Sequence, residues 1–375
     1  MRAHSDPVRP EKEVWRALVT CDLVDREEPA RETTRASRGR AVKLGTSLRF
    51  LFPTSPGTHE AFKRALAAAP PGSFIERPMG AYDTAEQARN WLEVAAAARA
   101  ARLDGLLVGD NHAVPAAYAN CFSPIPSLAR LMTVTGDMPV GMVLLAPFYE
   151  PIVLAEQIGT LAAFAGGPLV VALALGGRAQ AFAAFGRPQA SRVGRLEELL
   201  AVVRPLLAGE PVTFRGRYHV VEGAQTSPLP RGPVSFWIAG TVRVAAERAG
   251  RIGDGWLTGQ NAQSTELAEQ LDAYREAAAG AGRQALPVLR RDIFVGETDA
   301  DAAAVVDPIL AEGYRGTGRE TLLVGGPATV VQQLRAYRAM GFDHVMVRHI
   351  PGDHARMLES FARIGRSVMP AIRDL

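Results

Sequence analysis

The sequence predicts an α/β fold, a closed (β/α)8 TIM barrel with insertions, on three observations. Eight short apolar runs alternate with eight helical stretches between residues 42 and 375, with little chain left over. The first run, containing GTSLRF, lacks the glycine fingerprint that an open dinucleotide-binding sheet would carry. Finally, VSFWIAGTVRVAAERAGRIGDGWLTG (234–259) is a complete strand, helix, strand unit, whose two strands are expected to be parallel.

Residues 1–41 are dense in Arg, Glu, Asp and Pro with little periodicity and read as a disordered extension; 42–375 is the barrel domain. VKLGTSLRFLF (42–52) alternates as strand one, and 53–82 is a long excursion with a short helix at 61–69. A helix over 84–102 sets Ala85, Ala88, Trp91, Leu92 and Ala95 on one side and runs into strand two, GLLVG (105–109). A loop and a helix over 128–135 lead to strand three, MPVGMVLLAP (138–147), a helix over 150–164, and strand four, PLVVALALGG (168–177). A helix over 191–207 precedes GEPVTFRGRYHVVEG (209–223), a small hairpin on the rim.

Strands five and six are VSFWIA and DGWLTG. Between them Thr241 can cap a helix in which Val242, Ala245, Ala249 and Ile252 recur opposite Arg243, Glu247 and Arg251, until Gly253 ends it. The remaining elements are a helix over 264–279, strand seven in VLRRDIFVGE (288–297), and an insertion with some helix over 300–323. A helix from Pro327 to Met340, strand eight in DHVMVRHI (343–350) and a last helix over 353–369 complete the count.

A chain of 375 residues that is 47% hydrophobic has ample material for a large core. The net charge of +3 comes from scattered arginines rather than basic blocks, which argues against a nucleic-acid partner. A charged N-terminus and the lack of any long uninterrupted apolar run argue against a membrane and place the protein in the cytoplasm. Cys21 and Cys121 are too far apart in sequence for a metal knuckle, no carboxylate and histidine cluster has ligand spacing, and no metal is expected.

In such a barrel the chemistry belongs at the C-terminal strand ends. That rule selects Arg49 and Phe50, then Asp110, Asn111 and His112, residues 145–149, and Gly176, Gly177 and Arg178. It also selects Gly240 and Thr241, residues 258–261, and Arg348, His349 and Ile350. Few acids and many glycines, histidines and arginines suit an anionic ligand approached by backbone. Two readings of Gly240 and Thr241 stand: a phosphate seat at a helix N-terminus, or a turn that only caps a crossover helix. His112 is either an acid or base tuned near neutrality or a histidine that hydrogen-bonds the rim. Arg178 is either a clamp for phosphate or carboxylate or a solvated rim arginine. Asp353, beside His349 and His354, reads best as a helix N-cap. Trp256, Phe236 and Trp237 read as core, and Phe148 and Tyr149 as the lining of an apolar pocket.

Three stretches taken in order carry a family resemblance: MPVGMVLLAPFYEPIVLAEQIGTLAAFAGGPLVVALALGG, FGRPQASRVGRLEELLAVVRPLLAGEPVTFRGRYH, and WIAG followed by AERAGRIGDGWLTG. They resemble the bacterial-luciferase-like flavin-dependent oxidoreductases, and the similarity covers nearly everything from Val42 to Leu375. The resemblance implies an eight-stranded barrel with an insertion after the seventh strand and a non-covalently bound flavin. By it, Ala239, Gly240 and Thr241 take the cofactor phosphate, Gly141, Met142 and Val143 pack a bulged backbone against the flavin ring, and Gly176, Gly177 and Arg178 border the ligand. Asp110 and His112 are then the catalytic candidates.

The leading expectation is a monooxygenase using reduced FMN and dioxygen on a small organic substrate, supplied by a flavin reductase and acting as a homodimer. The alternative is direct hydride transfer with the deazaflavin coenzyme F420, and a third reading is a non-catalytic flavin-binding protein. Two departures bear on the carry-over. Arg178 stands where the sugar-phosphate-oxidising deazaflavin branch has glutamate, and Asp110-Asn111-His112 displaces by one residue the histidine that more often follows the aspartate directly.

Overall fold

In chain order the strands and helices are β1 (Lys43–Leu48), α1 (Thr84–Ala100), β2 (Leu106–Val108), α2 (Pro124–Thr135), β3 (Val140–Leu145), α3 (Pro151–Phe164) and β4 (Leu169–Ala174). They continue with α4 (Ala179–Ala184), α5 (Arg192–Leu207), β5 (Val212–Arg215), β6 (Val220–Ala224), β7 (Val234–Gly240), α6 (Arg243–Ile252), β8 (Gly255–Thr258) and α7 (Ser264–Gly280). The chain ends with β9 (Pro287–Val295), α8 (Asp299–Ala311), β10 (Leu322–Gly325), α9 (Pro327–Met340), β11 (His344–His349), α10 (His354–Arg363) and α11 (Met369–Arg373). This computed structural model describes residues 41–48, 83–114, 121–311, 314, 318–350 and 354–373. The expected N-terminal extension up to residue 40, the helix at 61–69, and Arg49, Phe50 and Asp353 lie outside the described residues.

Eight parallel strands run β1-β2-β3-β4-β7-β8-β9-β11 and close where β11 pairs with β1, Lys43 opposite His344. The barrel joint between β8 and β9 is short, Trp256 opposite Pro287 and Leu257 opposite Val288. Strand period two sorts the side chains. Leu107, Val143, Val170, Ala172, Trp237, Leu257, Val288 and Met346 plug the barrel interior. Their neighbours, among them Leu106, Met142, Val171, Phe236, Trp256 and Leu289, face outward into the core shared with the helices. Buried on both faces, these strands have the near-continuous apolar runs seen in the sequence.

The helices follow the expected order, and local signals set their ends. Asp83 accepts from Ala85 N at 2.8 Å to start α1, and Trp91, Val94, Ala95 and Ala98 are its buried stripe. Gln263 and Glu266 form a reciprocal capping box on α7. The rim hairpin is β5 paired antiparallel with β6.

Four local expectations are corrected. Thr241 does not cap α6: Val242 is the N-cap, and no side chain caps the helix. Val242 is 58% exposed and so leaves the apolar stripe, which is kept by Ala245 and Ala249. The insertion over 300–323 gains a strand, because β10 pairs in parallel with the end of β9, Asp292 to Val295, beyond the point where β9 has left β8. The last helix breaks at a π-helical segment, Ile364–Val368, between α10 and α11.

Candidate active site

The chain leaves β2 through Gly109 into Asp110, whose side chain has no solvent exposure. Asp110 Oδ2 accepts from Leu145 N at the end of β3 (2.9 Å), from the Tyr149 hydroxyl (3.0 Å) and from His112 Nε2 (3.0 Å). Asp110 Oδ1 is buried with no partner. Burial, then the Asp110 charge, then their hydrogen bond hold the Tyr149 phenol well above its ordinary range, so Tyr149 remains a donor. With Nε2–H given to the carboxylate, Nδ1 of a neutral His112 is the proton acceptor. The ring sits edge-on to Phe148, Tyr149 and Phe185, with centroids 5.3, 5.6 and 5.4 Å away. Phe148 and Tyr149 were legible in the sequence; Phe185, from the short helical segment around α4, was not.

Arg178 lies behind this turn. Its Nη1 donates to His112 O at 3.0 Å and its Nη2 to Ala113 O at 3.5 Å. Ala113 has φ of +51°, a left-handed conformation costly for a residue with a Cβ, so these bonds hold a strained loop in place. The sequence admits Arg178 as an anion clamp or a solvated rim residue; in the structure its guanidinium braces the backbone that presents His112.

The glycines divide. A Cβ on Gly141 would come within 2.2 Å of Val170 O and 2.7 Å of Leu107 Cδ2, so neighbouring strands fill that space. The pairing of β3 with β4 runs without a shift from Val140 to Leu145, so the expected bulge at Gly141, Met142 and Val143 is absent. Met142 points out into the helix-facing core, as period two requires of the residue between Gly141 and Val143. A Cβ on Gly240 would meet Ala245 Cβ at 2.5 Å, which gives that glycine a packing role against α6. Thr241 is exposed, and its carbonyl accepts from Gln270 Nε2 at 3.3 Å. Gly176 has φ of +69°, as the turn requires, and Gly177 has no atom within 4 Å of its Cβ direction. Gly177 faces open space in its Cβ direction, and the small, partly buried side chains of Ala174 and Ala239 pack against the interior plug on this half of the mouth.

The other half is charged. Arg348 Nη2 donates to both oxygens of Asp292, at 2.6 Å to Oδ1, and the Tyr314 hydroxyl donates to Asp292 Oδ2 at 2.8 Å. Burial disfavours the charge on Arg348, but Asp292 and Tyr314 more than offset it and its pKa rises. Arg290, on the same face of β9, is pushed down to about 10 by burial and by Arg348. His349 faces the other way: its Nε2 lies 3.1 Å from Ser360 Oγ, its Nδ1 is buried without a partner, and burial pushes its pKa down to about 3. Arg348 and His349 were selected from the sequence as strand-end residues. Arg290 and Asp292 were missed, although LRRD inside an otherwise apolar strand was the available signal.

A cavity of about 620 Å³ lies at the opposite end of the barrel, between α1 and the C-terminal helices, lined by Ala97, Ala101, Arg102, Gly365, Met369 and Arg373. It is far from the strand ends where barrel chemistry takes place. Among the described residues no three His, Cys, Asp or Glu side chains come together as metal ligands, and no helix is long and apolar enough to cross a membrane.

Residues 72–317 match the family described as luciferase-like monooxygenase. The chain is 28% identical over 341 residues to an F420-dependent glucose-6-phosphate dehydrogenase of Mycolicibacterium smegmatis, covering 80% of this chain and 100% of that protein. It is likewise 28% identical over 339 residues to the F420-dependent glucose-6-phosphate dehydrogenase of Rhodococcus erythropolis, covering 80% and 99%. Among solved structures, a monooxygenase from Streptomyces bottropensis superposes with a TM-score of 0.71 at 19% identity, covering 88% of this chain and 99% of that one. That likeness establishes the barrel fold.

Proposed function

The chain belongs to the luciferase-like monooxygenase family, and from that premise we propose that it is an oxidoreductase dependent on the deazaflavin coenzyme F420. The expectation of a monooxygenase using reduced FMN and dioxygen is corrected by the relatives matched over four-fifths of the chain, which are F420-dependent dehydrogenases. Those relatives are the observation that carries the reading. With direct hydride transfer, neither dioxygen nor a flavin reductase is required.

The residues at the mouth suit such a group. Gly177, Ala174 and Ala239 leave a flat, small-sided surface for a ring, and α6 begins beside Gly240 and Thr241 without a side-chain cap, a setting that favours phosphate. Met142, facing outward, is not part of that surface. When bound, the coenzyme supplies a two-electron hydride acceptor or donor. The chain supplies the proton chemistry. Asp110 fixes the His112 tautomer, and Nδ1 takes the hydroxyl proton of a substrate as its carbon loses hydride; the reverse reaction returns that proton to the carbonyl oxygen. Phe148, Tyr149 and Phe185 keep water from the ring edge. The substrate is therefore a hydroxyl compound or its carbonyl product. Glucose 6-phosphate itself is not carried over, because Arg178 replaces the glutamate of that branch and points into the 112–113 turn.

Anaerobic fluorescence titration of the full chain with coenzyme F420, FMN and reduced FMN tests the proposal. Saturable binding of F420, with both flavins failing to displace it, is the expected result. Binding of reduced FMN in preference to F420 overturns it.

A further inference from the structure

We propose that Arg290 and Arg348 form a carboxylate-binding subsite on the charged half of the barrel mouth, so that the substrate is a hydroxy acid or the corresponding oxo acid. The acid group of the substrate rests on the hydride-transfer reading; the subsite does not.

Strand parity places both arginines on the inner face. In β9, Val288 belongs to the interior plug and Leu289 to the outer core, which puts Arg290 and Asp292 inside and Arg291 outside. Arg291 confirms the alternation by reaching Tyr337 Oη on α9 at 2.9 Å and the carbonyls of Gln260 and Ala262 at 3.0 and 2.8 Å. In β11, Met346 is in the interior plug, and Arg348, two residues on, lies opposite Asp292.

Two donors in this layer have no acceptor. Arg348 is only 7% exposed, its Nη2 is taken by Asp292, and its Nη1 is buried with no partner. Arg290 makes no side-chain hydrogen bond or ion pair among the described residues, although it is partly buried next to a second guanidinium. The buried Arg348 Nη1 without an acceptor is destabilising, and the like charge of Arg290 beside it adds to that. Such an arrangement is relieved by an incoming anion.

The charge count selects the anion. Among the described residues of this layer, two guanidiniums and the Asp292 carboxylate leave one net positive charge, and His349, held neutral by burial, adds none. A carboxylate neutralises that single charge with two oxygens that suit guanidinium N–H groups. A phosphate dianion would leave an excess negative charge beside buried Asp292. The interior surface of the opposite half is apolar, with Ala174 and Ala239, so an acid group has one end of the mouth in which to sit.

Calorimetric titration of the full chain, with and without coenzyme F420, using benzoate, benzamide and inorganic phosphate as probes, tests the subsite. Benzoate is expected to bind at least about tenfold more tightly than benzamide or phosphate, and Arg290→Met to remove about that factor for benzoate alone. Arg290→Lys is expected to recover part of it, and thermal melts of both variants verify folding. Equal benzoate affinity in wild type and a folded Arg290→Met, or phosphate binding as tightly as benzoate, overturns the subsite. If F420 fails to bind while benzoate still depends on Arg290, the hydride-transfer reading falls and the subsite stands.

Discussion

His112 Nε2 and Asp110 Oδ2 stand 3.0 Å apart, and the same oxygen also holds Leu145 N and the Tyr149 hydroxyl. One carboxylate oxygen therefore ties the turn after β2 to the end of β3 and fixes which nitrogen of the imidazole is free. Asp110→Asn can keep a carbonyl oxygen for the three donors by turning its NH2 to the unpartnered Oδ1 side, but it removes the carboxylate charge that holds Nε2 protonated and supports the imidazolium. Turnover is expected to fall on the order of 10²-fold with coenzyme affinity nearly unchanged, measured by steady-state kinetics and fluorescence titration. Lost coenzyme binding with normal turnover per bound coenzyme would remove the role assigned to this pair.

Arg178 acts through the backbone of that turn. Arg178→Ala frees the carbonyls of His112 and Ala113 and lets the left-handed Ala113 relax. A drop in kcat of about tenfold is expected, because a misplaced base loses alignment, with a melting temperature close to wild type. A larger effect on coenzyme affinity than on kcat would show instead that Arg178 contacts the ligand directly.

Gly141 and Gly177 make a matched pair of substitutions. Gly141→Ala drives a methyl against Val170 O and Leu107, and is expected to destabilise the fold by about 1–3 kcal/mol or more in urea denaturation. Gly177→Ala meets nothing within 4 Å and is expected to stay within about 0.5 kcal/mol of wild type while weakening coenzyme binding. Equal stability losses in the two variants would contradict the packing described for β3.

His349 makes the fold sensitive to acid. Burial lowers its pKa from 6.5 to about 3, so between those values the unfolded chain binds a proton that the folded chain refuses. Its contribution to stability is complete above pH 6.5 and declines by up to about 1.4 kcal/mol per pH unit as the pH falls through that window. His219 and His344, whose pKa values burial also lowers, add slope of the same sign. His349→Gln is expected to flatten the dependence of denaturation midpoint on pH between 6 and 4; an unchanged slope would place the acid sensitivity elsewhere.

The alternation of apolar runs with helical stretches was enough, by itself, to determine the barrel, all eight of its strands and the strand ends where Asp110, His112, Arg178 and Arg348 would be found. Those signals are local: a strand buried on both faces must be apolar along its length, and a crossover helix must show a 3.6-residue stripe. The short β10 was missed because LLVG is indistinguishable from an apolar turn until the departing end of β9 provides an edge to pair with. The roles of the glycines were also undecided, since Gly141, Gly177 and Gly240 look alike in sequence and differ only in what stands across from them: Val170 and Leu107, open space, and Ala245. Tertiary structure likewise decided which charges meet. Asp292 and Arg348 are 56 residues apart, and only the parallel register of β9 against β11 sets them side by side with Arg290 on the same inner face. Period two is legible in one strand, whereas register between strands depends on how the whole barrel closes.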